Sequence, residues 1–224
     1  MSTIAEEGLR RALEAEREVA RPSNLRASWE ALFDEARGCT RCDLYKNATQ
    51  TVFGEGPLNA SIMFVGEQPG DQEDLAGRPF VGPAGALFDD ALEKAGIDRS
   101  TVYVTNAVKH FKFVAKGKRR IHNKPDAGEI SACRWWISHE RELIRPPVTV
   151  ALGGTAARSL IGKIVTIGKV RGQPLTLDDG SECWVTVHPS SLLRMPDREK
   201  RHQARALFVR DLKLIKARAA EIAA

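Results

Sequence analysis

Long apolar stretches are missing from this chain. No run reaches the roughly 18 residues that a membrane-spanning helix needs, so no contact with a membrane interior is expected. The N-terminus, MSTIAEEGLRRALEAEREVARP, lacks the apolar segment of a signal peptide, and a cytoplasmic location is expected. No internal repeat or low-complexity tract interrupts the sequence. Cysteine is scarce: there are four in 224 residues, and in a cytosolic chain they are not expected to pair as disulfides.

What is present reads as one α/β domain large enough to bury a core. Residues 1–22 are charged and helical in pattern, with Thr3 and Glu6 at capping-box spacing. They are expected to form a helical extension ahead of a single domain over 23–224. A second helix is expected from Asn24 to Arg37, capped by Ser23 or Asn24 and stopped by Gly38. Four apolar runs read as buried strands: Ile62–Gly66, Val102–Val108, Val148–Gly153 and Trp184–His188. Helical patterns lie between them at Gly85–Ala95, Ala127–Ile144 and Thr155–Leu160. Such alternation predicts a three-layer α/β sandwich, with a mainly parallel four-stranded sheet flanked by helices. Lys169–Gly180 reads as a hairpin arm turning at Asp179-Gly180 into the last strand. From Asp197 the chain becomes a basic amphipathic helix. The net charge of +5 permits an anionic partner without requiring one.

Cys39 and Cys42 form a C-x-x-C motif after a helix stop. That spacing alone is compatible with zinc, iron–sulfur or redox chemistry, although the helix stop favours a metal clip. Cys133 and Cys183 can be read as small buried residues. In parallel sheets, ligands sit beyond the carboxyl ends of the strands. That rule selects Gly66–Gly70 (GEQPG), Asn106–Phe113, Gly153-Gly154-Thr155 and His188–Ser191. The first lacks the Gly-Lys-Ser/Thr ending of a phosphate loop, and its Pro and Gly instead fix a turn presenting Glu67 and Gln68. The segment HPSSLLR ends in a leucine pair and Arg194, which suits a wedge pushed into a base stack.

In order, C-x-x-C, GEQPG, GRPFVGPAG, TNAVKHF, ACRWW and HPSSLLR resemble the uracil-DNA glycosylase superfamily, and within it the iron–sulfur branches. GEQPG and the basic insert GKRRIH make the UdgX group the nearest likeness. The resemblance implies excision of uracil from DNA, single-stranded or double-stranded, by a monomer. It places Phe80 against the flipped base and Asn106 on its N3 and O4 edge. Gln68 (through its main chain) and Asp71 would lie at the base. His188 would donate to O2, Ser190 would hold a phosphate, and Leu192 would fill the emptied stack beside Arg194. Glu67 would stabilise the cationic sugar and accept a proton.

Two departures carry further implications. Iron–sulfur relatives have Cys where this chain has His110, so the implied ligands of a 4Fe–4S cluster are Cys39, Cys42, His110 and Cys133, with Cys183 left to packing. His122 sits in an insert whose Lys118, Arg119 and Arg120 suit DNA phosphates. The plain reading is a DNA-contacting loop. The resemblance to UdgX implies instead that His122 attacks C1′ and traps the protein on its abasic product. The competing readings are a non-catalytic iron–sulfur protein that binds single-stranded or damaged DNA, and a zinc-stabilised α/β protein of other function.

Overall fold

The computed structural model describes Pro22 and residues 24–223. The expected N-terminal helix, its Thr3–Glu6 spacing and Ser23 lie outside them. The first described helix, α1 (Leu25–Arg37), is capped by Asn24, whose side chain accepts a hydrogen bond from the Ala27 amide at 3.0 Å. Then come β1 (Ile62–Gly66), α2 (Asp71–Ala76), α3 (Pro83–Ala95) and β2 (Tyr103–Asn106). The strands β3 (Phe113–Lys116) and β4 (Arg119–His122) precede the long α4 (Ala127–Ile144). The remainder is β5 (Val148–Leu152), α5 (Gly154–Ile161), α6 (Ile167–Val170), β6 (Pro174–Thr176), β7 (Glu182–Thr186), α7 (Pro189–Leu193) and α8 (Arg198–Ala223).

The main sheet runs β2-β1-β5-β7-β6, with the first four parallel. It has five strands where the sequence predicted four. The extra one comes from the hairpin arm: Pro174–Thr176 pairs antiparallel with β7. Proline cannot donate to a ladder, so Pro174 is tolerated because β6 is an edge. Successive residues of β1 feed opposite layers. Ile62 and Phe64 join Phe88, Leu92, Phe208 and Leu212 on one face. Met63 and Val65 join Ile137, Ala157 and Leu160 on the other. Burial on both faces is why these strands read as unbroken apolar runs.

The basic insert differs from its expected loop form. It folds as a two-stranded ribbon in which Phe113 pairs with His122 and Lys116 with Arg119. Gly117, at φ 59°, supplies the left-handed residue that the tight turn needs.

A polar network is sealed beneath β2. The Lys109 ammonium and the Glu140 carboxylate are fully buried and paired. Lys109 Nζ also donates to Thr105 Oγ1 at 2.5 Å and to the Asn106 carbonyl at 2.9 Å. Glu140 Oε1 accepts from Tyr103 Oη and from the Gly54 amide. Burial of two charges is tolerable because each has several partners.

Candidate active site

The parallel strands aim their carboxyl ends at one edge, and three of the expected site side chains meet there. Glu67 follows β1. One of its carboxylate oxygens stands 3.2 Å from His122 Nε2, and the other accepts a hydrogen bond from the Thr155 hydroxyl at the start of α5. Burial pushes the Glu67 carboxyl up, but the hydrogen bonds from His122 and Thr155 and the charges of His122 and His188 outweigh it. Its pKa therefore falls below the ordinary value, and at neutral pH Glu67 is a carboxylate.

His188 caps α7. Its Nδ1 accepts from the Ser190 amide at 3.2 Å, which leaves the proton of the neutral ring on Nε2. Burial drives its pKa down to about 4; Glu67 opposes this, and Arg194 and His122 add to it. At neutral pH His188 is thus an uncharged imidazole with an Nε2–H to donate.

Phe80 and Asn106 close on Gly66. A Cβ built there would stand 2.3 Å from Asn106 Oδ1 and 2.7 Å from Phe80 Cζ, so only glycine fits between them. Phe80 holds a left-handed backbone at φ 58°, a strained state for an aromatic residue. Gly85 lets α3 approach it, since a Cβ there would meet the Phe80 carbonyl at 1.8 Å. The Phe80 ring lies 6.2 Å from that of His188, 26° from parallel. Asn106 is 3% exposed, and among the described residues nothing bonds its side-chain amide.

Other expected site residues stand differently. Gln68, expected at the base through its main chain, engages its side-chain amide elsewhere. It donates to the carbonyls of Lys112 and Asn123 and accepts from the Lys112 amide, pinning both feet of the ribbon. Asp71 and the wholly buried Asp74 each hold Arg120 at 2.5 Å, and that guanidinium also lies over Phe111 and Phe113. Arg120 is therefore a latch on the ribbon and not a free phosphate ligand, whereas Lys118 and Arg119 are exposed. Ser190 Oγ stands 2.9 Å from His188 Nδ1. Leu192 is 0% exposed and belongs to the core, so it cannot serve as the wedge. One position further round the helix, Leu193 is 38% exposed beside Arg194.

Cys39, Cys42 and Cys133 border one apolar cluster between α1 and α4. Trp136 Nε1 donates to Cys39 Sγ at 3.0 Å, and the Lys109 amide donates to Cys133 Sγ at 3.2 Å. Burial pushes the uncoordinated Cys133 thiol up to about 12, with the charge and amide of Lys109 opposing. Among the described residues no three His, Cys, Asp or Glu side chains form a group that could hold a single metal ion. A cluster is several ångströms across and is spanned by ligands standing farther apart than those of one ion. The donor set, thiols that already receive N–H hydrogen bonds inside an apolar shell, fits such a group. His110 bonds Thr51 Oγ1 at 2.9 Å through Nε2. The single Thr51 proton goes to the Ala36 carbonyl, so His110 Nε2 is the donor and Nδ1 keeps its lone pair. Cys183 is buried in the sheet core, as expected.

Fold and site together define an α/β protein that gathers a carboxylate, a neutral imidazole and an unbonded buried amide at one sheet edge. The chain belongs to the uracil DNA glycosylase superfamily, whose family model matches residues 53–213. It is 42% identical over 174 residues to a type-4 uracil-DNA glycosylase of Thermotoga maritima, covering 77% of this chain and 86% of that one. A type-4 enzyme of Archaeoglobus fulgidus is 34% identical over 184 residues, covering 79% and 89%. A type-5 uracil-DNA glycosylase of Pyrobaculum aerophilum is 32% identical over 154 residues, covering 61% and 64%. Among the described residues no helix is long and apolar enough to cross a membrane.

Thr155 is the site residue that sequence reasoning left without a role. Its position after a strand end was the available signal.

Proposed function

We propose that this protein excises uracil from DNA and then joins its own His122 to C1′ of the sugar left behind, as the resemblance to the UdgX group implies. The observation that carries the excision is the buried Asn106 amide, unbonded within the described residues and held against Phe80 across Gly66. Such an amide donates to O4 and accepts from N3–H of uracil. Cytosine reverses both groups and leaves the amide mispaired. Phe80 supplies the stacking face for the flipped base.

When the glycosidic bond breaks, its electron pair departs with uracil. The neutral His188 Nε2–H donates to O2 as negative charge gathers there. The sugar becomes cationic at C1′, and the ionised Glu67 stabilises it. The His122–Glu67 contact supports the second step. One imidazole nitrogen gives its lone pair to C1′, and the other passes its proton to Glu67. Without the imidazole, water takes the same place. Thr155 holds the carboxylate from behind. Cys39, Cys42 and Cys133, with His110 as the fourth ligand, would hold a 4Fe–4S cluster that cross-links α1, the end of β2 and α4. The protein acts as a monomer.

One denaturing gel tests both halves. Uracil-containing single-stranded DNA gives a band that survives boiling in detergent, thymine-containing DNA gives none, and peptide mapping finds the sugar on His122. His122→Ala loses the band and still releases uracil. Attachment at Lys118 or Lys124 overturns the nucleophile; absence of uracil release overturns the excision.

A further inference from the structure

The ribbon of β3 and β4 has two faces, and the site uses only one. Strand alternation puts Phe113, Arg120 and His122 on the inner face, where each has a partner: Phe111, the Asp71–Asp74 pair and Glu67. The outer face carries Val114 opposite Ile121 and Lys116 opposite Arg119. Val114 is 56% exposed and Ile121 is 41% exposed. This β-branched cross-strand pair stiffens the ribbon and also leaves an apolar patch open to a ligand. Like charges set directly opposite each other destabilise a ribbon. Lys118 adds a third cation at the turn, and among the described residues none of the three meets a carboxylate.

This face therefore suits a partner that brings a flat apolar surface and negative charge together. A nucleotide does so, with its base and its phosphate. We propose that the outer face of this ribbon seats the unpaired base beside the flipped uracil in single-stranded DNA. Val114 and Ile121 lie against that base, and Lys116, Lys118 and Arg119 meet its phosphates. The inference rests on the uracil-excision reading and adds a preference to it. Ile121 immediately precedes His122 and projects from the opposite face, so a strand leaving the reacting sugar reaches it by passing round the ribbon's edge, within about one nucleotide. In a duplex that neighbouring base is paired and stacked on the helix, unavailable to the platform. The face therefore favours single strands.

The test is equilibrium binding of full-length protein to short single-stranded oligonucleotides carrying 2′-fluoro-deoxyuridine, whose glycosidic bond resists cleavage. The base on each side of the uracil is either intact or replaced by an abasic spacer. Wild type loses about tenfold in affinity when the spacer stands on one side, equivalent to about 1.4 kcal/mol. Val114→Thr combined with Ile121→Thr keeps residues that favour strands. It binds the intact oligonucleotide about tenfold more weakly and is indifferent to the spacer. Lys116→Gln with Arg119→Gln lowers the slope of log affinity against log salt by about 1.4, at about 0.7 per phosphate contact on single strands. An unchanged thermal midpoint shows that each variant is folded. Equal spacer sensitivity in wild type and the threonine variant overturns the inference and leaves the face to an acidic protein partner. An equal loss of duplex binding overturns it as well. If 2′-fluoro-deoxyuridine binds no better than thymidine, the excision reading fails instead, a separate result.

Discussion

Arg120 joins the ribbon that carries His122, the proposed nucleophile, to the body of the protein, and Arg120→Met isolates that role. Methionine keeps an apolar side chain of similar reach but removes the guanidinium that lies over Phe111 and Phe113, and with it the charge. Asp74 then remains wholly buried, with only the Thr49 amide as a hydrogen-bond donor among the described residues. Breaking a buried pair costs about 3–5 kcal/mol, and the partial exposure of Arg120 reduces this to roughly 2–3 kcal/mol. For a chain of this size that lowers the thermal midpoint by about 5–10 °C. Gln68 still pins the ribbon at Lys112 and Asn123, so His122 is loosened and not lost. A loss of about 1.4 kcal/mol in its positioning slows adduct formation roughly tenfold. Uracil release continues, because water replaces the imidazole. Quenched-flow gels read adduct and free uracil separately, well below the melting range. Asp74→Asn added to Arg120→Met removes the stranded charge and recovers most of the stability but none of the trapping rate. If Arg120→Met traps DNA at the wild-type rate, or if release and trapping fall in parallel, the latch argument is refuted.

The His188 pKa, lowered from 6.5 to about 4, gives a signed stability prediction. The unfolded ring takes up a proton before the folded one, so this contribution is complete above pH 6.5 and is lost as pH falls towards 4. Denaturant midpoints across that window show the loss, and replacing His188 with Gln flattens this part of the profile. Leu192→Ala costs about 2–5 kcal/mol of stability as a core cavity. Leu193→Ala changes stability by less than about 0.5 kcal/mol yet weakens uracil excision from duplex DNA more than from single strands. Cys133→Ala abolishes the visible absorption expected of the proposed cluster and His110→Cys retains it; full iron content in the Cys133 variant removes that residue from the ligand set.

The sheet was legible because its strands are buried on both faces and broken by turn residues at their carboxyl ends. The same rule pointed to Glu67, Asn106, Thr155 and His188 before any contact was known. What escaped was of another kind. The ribbon is too short and too basic to show a buried periodicity, and its register depends on Gly117 and on the distant Gln68 and Asp74. Arg120 looks like its neighbours Arg119 and Lys118; only the position of Asp71 and Asp74 separates a latch from a phosphate contact. The two adjacent leucines carry no signal about which one faces inward, because that depends on where the short α7 begins. The fifth strand was read as a hairpin arm but not as part of the sheet, since a proline argues against a strand everywhere except at an edge.

The ribbon's attachment bears on when the reaction is armed. Gln68 at its feet and Arg120 near its tip fix it while no DNA is bound, with His122 already against Glu67. Had it been a floppy loop that ordered only on the substrate, DNA binding would have had to freeze about ten backbone residues. At roughly 1 kcal/mol each, that is about 10 kcal/mol drawn from the binding energy of every encounter. Folding meets that entropy cost once, when the chain is made. Under the proposed trapping reaction, a flipped uridine arrives at an imidazole already in place, and the interval in which water could reach C1′ is short.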